Sequence, residues 1–351
     1  MKSLSILVCL CCWMHLAIAQ DAHFSQPLMS PLNFNPAMTG YMQEVYRLNF
    51  QSRGQWWTVA NKEYYKTISA SFDRRFCGEK NHFGLGLQVL GNELWDNPLS
   101  SYQIQLSAAY HLNLGNGIFG ALGGQGGFLQ YRLNDSKLYF EDQFDPSISS
   151  FGGSPSQENF AKANLGAWDG NVGLLLYSTD ENNNFTLGFS LHHLNQPQIT
   201  FLDKQSYSVD GLSFKWTVYG RAKFLLSDNS GIFFSPTAII QLQDNQWQSL
   251  LGFTPSIGFS PEKGQGGKYI YQKTVSLGVS IRLAAHFESA TTLDAVIIQS
   301  AYRWKSLRFV FAYDINTSNL RLASNRAGAM ELGISYQFGS QSKECKYCPY
   351  W

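Results

Sequence analysis

A chain of 351 residues with 26 basic and 25 acidic side chains carries a net charge of +1, which excludes nucleic acid and strongly anionic surfaces as expected partners. Charged residues make up 15% and aromatics 15%, where an ordinary soluble domain has about 25% charged. Mean hydropathy is −0.19, and no stretch beyond residue 19 approaches the roughly 20 apolar residues of a helical membrane span; this balance fits strands with one lipid face and one polar face.

The first nineteen residues read as a secretory signal. Lys2 precedes the apolar run Leu4–Leu16, and Ala17-Ile18-Ala19 places small residues before a cut at Gln20. Cleavage there removes Cys9, Cys11 and Cys12. A lipoprotein signal would need a small residue before its cysteine, and the neighbours are Val8, Leu10 and Cys11. The next segment, 20–43, contains Pro27, Pro31 and Pro36, which cannot donate to a sheet ladder. It also contains Phe24, Leu28, Leu32, Phe34 and Met38. It is therefore expected to be ordered, packed at the periplasmic mouth or inside a lumen as a partial plug.

From there an alternating pattern defines a barrel over 44–338. The spacing predicts strands at 44–53, 65–75, 83–91, 99–113, 118–133, 165–179, 185–194, 212–227, 231–243, 247–259, 270–283, 292–303, 306–315 and 328–338. Tyr102, Ile104, Leu106, Tyr110 and Leu112, for example, alternate with Gln103, Gln105, Ser107 and His111. The fold class expected is all-β, a transmembrane antiparallel barrel of about fourteen strands, an even number as single-chain bacterial barrels require. A soluble sandwich would alternate in the same way. Strands longer than the usual 5–6 residues and aromatics near strand ends favour the membrane.

Connection lengths are asymmetric. Tight turns rich in Gly, Asn and Asp alternate with long connections at 134–164, 195–211 and 316–327, which places short turns in the periplasm and long loops outside. The loop 134–164 carries Tyr139, Phe140, Phe144, Phe151 and Phe160. Such apolar groups suit a partner-binding loop or one folded inward as a constriction. The tail 339–351 holds Cys345 and Cys348. In this orientation it leaves the barrel one strand away from the turn that holds Cys77, so a bridge from Cys77 to the tail, a local Cys345–Cys348 bridge, a metal site shared with a partner and reduced thiols all stand open.

No arrangement argues for catalysis, a cofactor or a metal. His192-His193 are adjacent strand residues, expected to face opposite ways. Gly115–Gly127 lacks the Lys-Ser/Thr of a phosphate loop, and His111 near Ser107 lacks an orienting third residue. Lys215, Arg221, Lys223, Arg282 and Arg308 fall on polar strand faces. They imply either an anion-selective lumen or a salt-bridged, plugged one with partners such as Asp73 and Asp314.

Several separated elements resemble one known family. They are His23-Phe24-Ser25-Gln26, Asn35-Pro36-Ala37-Met38-Thr39-Gly40, Leu138–Gln143, Leu293-Asp294-Ala295-Val296-Ile297, Tyr313–Leu320 and the closing strand 328–338. Together, in this order, they resemble the PorP/SprF family of type IX secretion and gliding components. The resemblance implies a non-enzymatic outer-membrane protein of Bacteroidetes-type bacteria. It would be needed for secretion or surface attachment of an adhesin-like cargo with a C-terminal sorting domain, working with periplasmic components of the machinery within outer-membrane lipid. A passive solute channel is the alternative. The tail after Phe338 departs from a barrel that ends on an aromatic residue.

Overall fold

In the computed structural model the described residues run from Asp21 to Gly339, less parts of several connections, the longest being 152–162 and 202–210. Among them fourteen antiparallel strands close into one barrel. These are β1 (Tyr46–Gln55), β2 (Tyr65–Cys77), β3 (His82–Leu94), β4 (Leu99–Gly115), β5 (Ile118–Leu133), β6 (Asn164–Ser178) and β7 (Asn184–His192). The second half contains β8 (Lys215–Ser227), β9 (Ile232–Gln243), β10 (Gln246–Lys263), β11 (Tyr269–His286), β12 (Thr292–Trp304), β13 (Leu307–Asn316) and β14 (Ala327–Phe338). Closure comes from β1, where Tyr46 pairs with Arg74 of β2 on one side and with Phe338 of β14 on the other.

All predicted strands are present, with ends displaced by about four residues at most. The displacement falls at the rims, where residues leave the lipid and need not alternate. Within the wall the alternation holds between bulges such as those at Arg282/Leu283 and Asp314/Ile315. Ile104, Leu106 (67% exposed) and Tyr110 face outward, while Gln105, Ser107 and His111 are buried on the other side. Large apolar side chains on the outside and polar ones inside reverse the soluble arrangement, and only a hydrocarbon surround satisfies both faces.

One end of the barrel has the short connections, 78–81, 116–117, 179–183, 228–231, 264–268 and 305–306. Asn116 and Gly117, at φ 51° and 74°, form the kind of hairpin turn that an Asn-Gly pair favours. The other end has all the long connections, 134–163, 193–214 and 317–326, together with short ones at 95–98 and 244–245. Within the first of these a small ribbon pairs Phe144 with Phe151 and Asp145 with Ser150.

The lumen is occupied by the N-terminal segment, folded as three short helical turns, Pro27–Met29, Pro31–Phe34 and Pro36–Met38. Each opens on a proline, where the missing N–H costs nothing. Three- and four-residue turns are too short to leave a periodic signal, so the sequence shows only the prolines and the apolar side chains. Leu32, Ala37 and Met38 are fully buried.

Candidate functional site

The plug runs the length of the lumen and is held at three stations. Asp21 begins it at the long-loop end, where it meets His193, just beyond β7, and Lys215, at the start of β8. The segment leaves at the short-turn end, where Val45 leads into β1.

The first station lies around Ser25. Its hydroxyl donates to Asp314 Oδ2 at 2.6 Å and accepts from Arg53 at 2.7 Å and Arg282 at 3.0 Å. One donor and two lone pairs are all used. The backbone N–H groups of Ser25 and Gln26 both donate to the Glu331 carboxylate. Arg53 pairs with Asp314 and Glu331, and Arg282 pairs with Asp314 at 2.9 Å and Asp294 at 2.7 Å. Strands β1, β11, β12, β13 and β14 thus each supply a charge to one knot tied around the plug. Buried charges persist only when paired in this way.

The second station is Asn35. Its Nδ2 donates to the carbonyls of Leu174 and Phe189, which face each other across β6 and β7, and its Oδ1 accepts from the Ala37 N–H at 2.8 Å. Gly173 makes this approach possible, since a Cβ there would overlap the Asn35 side chain; Gly123 gives the same room to Ala37. Of the glycines of β5, Gly123 is the one at which a Cβ would meet the plug. Phe34 lies 4.7 Å from the Tyr219 ring centroid.

At the third station Gly40, at φ 78°, turns the chain toward β1 and donates its N–H to Asp73 Oδ2 at 2.8 Å. Asp73 also takes a bidentate pair from Arg47, whose remaining N–H groups donate to the carbonyls of Tyr41 and Met38. Thr39 is held on both sides, with Ser107 Oγ 2.8 Å from its hydroxyl and the His111 Nε2 2.8 Å from its carbonyl. His111 and Ser107, which sequence proximity offers as a hydrolase pair, both bind the plug instead.

The two histidines depart from the geometry expected of them. His193 adopts φ 62° just beyond the end of β7, so strand alternation no longer applies and both rings are buried inward. His193 contacts Asp169 at 3.0 Å and Asp21 at 2.9 Å. Burial disfavours its charge, yet Asp21 and Asp169 outweigh it and push the imidazole pKa up to about 10. Burial likewise opposes the Asp21 carboxylate, but Lys215 and His193 hold its pKa below the usual range. No metal-ligating cluster occurs among the described residues.

The five basic residues read as lumen-lining divide into two groups. Arg282 is committed to Asp294 and Asp314 of the first station, and Lys215 to Asp21 at the start of the plug. Arg221, Lys223 and Arg308 face a separate chamber between the plug and β8–β13, joined there by Arg303. Arg303 was missed although alternation across β12 places it inward. Of the loop residues, Phe144 is 41% exposed and pairs through its backbone with Phe151. Tyr139, Phe140, Phe160 and the Phe151 side chain lie outside the described residues. Cys77 ends β2 at the short-turn rim and is disulfide-bonded; the other five cysteines, Cys345 and Cys348 among them, lie outside the described residues.

The sequence pattern of the family described as type IX secretion system membrane protein PorP/SprF matches residues 17–336. The chain belongs to the PorP/SprF family. It is an outer-membrane β-barrel, and five of the six family elements named from the sequence meet in the lumen, Leu138–Gln143 lying in the loop 134–163. Ser25 and Gln26 of the first element join Asp294, Asp314 and Glu331 of the last three at one station. Asn35, Thr39 and Gly40 of the second element form the other two stations. No curated protein matches the chain. Among solved structures, it resembles the CymD monoaromatic hydrocarbon channel at 12% identity, with 91% of this chain and 94% of that chain covered and a TM-score of 0.47. The Pseudomonas putida toluene transporter TodX gives 8%, 92%, 98% and 0.45. BamA from Haemophilus ducreyi gives 9%, 84%, 71% and 0.43. At such scores the likeness adds nothing to the barrel already described.

Proposed function

We propose that this PorP/SprF member is a non-enzymatic component of the type IX secretion machinery, needed for secretion or surface attachment of one adhesin-like cargo bearing a C-terminal sorting domain. The short-turn end faces the periplasm and its secretion components, and the loop 134–163 meets cargo outside. The observation that carries this reading is the convergence of five of the six family elements on the plug stations. A barrel that commits five strands' worth of paired charge to holding a segment inside its lumen is organised around that segment rather than around a solute path. The signal over 1–19 delivers the chain to the outer membrane.

The test is a clean deletion in the native bacterium, followed by proteomics of cell surface and medium. One sorting-domain cargo is expected to disappear from the surface while other secreted proteins stay at wild-type levels. Loss of small-solute uptake with an unchanged surface proteome would favour the passive channel.

A further inference from the structure

The plug leaves part of the lumen unfilled. A chamber of about 120 Å³ lies between Leu28 and Met29 of the plug and the wall from β8 to β13. Serine and threonine hydroxyls from β9, β10 and β11 line it together with four cationic side chains, Arg221, Lys223, Arg303 and Arg308, and its lining includes no carboxylate. Elsewhere in the lumen the cations named at the stations face Asp or Glu.

A second feature is independent of the cavity. Arg303 of β12 and Arg308 of β13 are direct cross-strand partners, flanking the tight turn at Lys305 and Ser306. Like charges opposite one another destabilise a strand pair. The charged groups acting on Arg308 are again cationic, Arg221 and Arg303, and no ion pair to Arg308 occurs among the described residues. Arg303 is fixed from behind, donating through one nitrogen to the Tyr271 carbonyl and the Thr274 hydroxyl at 3.1 Å each. A smaller cavity at the short-turn mouth shares Leu28, Met29, Arg303 and Arg308 with the chamber and adds Lys305, Arg47 and one carboxylate, Glu44. The arginine pair therefore sits where the chamber adjoins the mouth.

We infer that this chamber binds a small oxyanion of the phosphate or carboxylate kind, entering from the short-turn end and held by Arg303 and Arg308 with Arg221 behind them. Guanidinium forks suit oxygen pairs on such anions, and a shared oxyanion turns the repulsion between the two arginines into a common attraction. Ser25 and Gln26 of the first station also line the chamber, but Arg303, Arg308 and Arg221 belong to no station, so anion binding and the secretion reading can fail separately.

Purified full-length protein in detergent, titrated with inorganic phosphate or with citrate at constant ionic strength held by sodium chloride, tests this by calorimetry and by thermal unfolding. A saturable response to one of the two anions is expected, which also tells phosphate from carboxylate chemistry. Arg303→Gln and Arg308→Gln are each expected to weaken it by about tenfold or more, the loss of a charged hydrogen-bonding partner. Arg74→Gln, an exposed position stacked over Tyr46 and Phe76, removes the same charge and is expected to leave binding unchanged. Without anion, Arg308→Gln is expected to unfold at the wild-type temperature or above it. If that variant does not insert, Arg308→Lys keeps the charge without the fork and is expected to bind more weakly than wild type. No saturable response to either anion, or an equal response in all variants, would overturn the proposal.

Discussion

Ser25 shows how much one small side chain carries here. Its hydroxyl serves two arginines and a carboxylate at once, so Ser25→Ala leaves charged groups short of a partner and is expected to cost about 1–3 kcal/mol. Asp314→Asn removes the charge shared by Arg53 and Arg282 and is expected to cost more, about 3–5 kcal/mol. Thermal unfolding of the two variants in detergent checks the order; equal, negligible effects would show that the knot does not bear on stability. His193 gives the residue scale a pH dependence. Its pKa rises from the ordinary 6.5 to about 10, so its contribution is complete below about 6.5 and lost as pH climbs through 10. Hydrogen exchange of residues 21–26 is expected to stay slow from pH 6 to pH 8 after correction for intrinsic rate and to speed up near 10. A midpoint near 6.5 would contradict the charged pair. Sequence alone placed Arg282 and Asp314 on inward faces, because period two needs nothing but the chain. It did not place His193, since a single left-handed residue ends the alternation and only the fold sets that φ.

At the scale of elements, strands were legible and the plug's internal structure was not. A strand of twelve residues repeats its pattern six times, whereas Pro31–Phe34 completes barely one helical turn. The stations were beyond reach for a different reason: Ser25 and Glu331 are 306 positions apart, and no local pattern brings them together. The short-turn rim offers a prediction of its own. Cys77 is disulfide-bonded, and β1 alone separates β2 from β14, so the tail starts one strand from it. We propose that one tail cysteine, Cys345 or Cys348, is the partner. Non-reducing peptide mapping of the mature protein is expected to recover a peptide joining Cys77 to residues 340–351. A local Cys345–Cys348 link with Cys77 elsewhere would refute the pairing.

For the whole molecule, lipid outside and ion pairs inside make the N-terminal segment a structural member of the barrel. Apolar side chains of the plug pack with lumen-facing Tyr177, Tyr219 and Ile297 in one buried cluster that also takes in Phe34, Met38 and Tyr41. This is a lumen core, which ordinary porins lack. We propose that an outer-membrane protein built this way holds its lumen shut at rest and acts in secretion at its two ends. The most direct measurement is ion conductance of the purified protein in planar bilayers, with the double variant Ser25→Ala and Asp314→Asn alongside. The wild-type barrel is expected to insert without a steady open current, and the variant to show open events as the plug loosens. A steady porin-like conductance from the wild-type protein would contradict the plugged lumen outright.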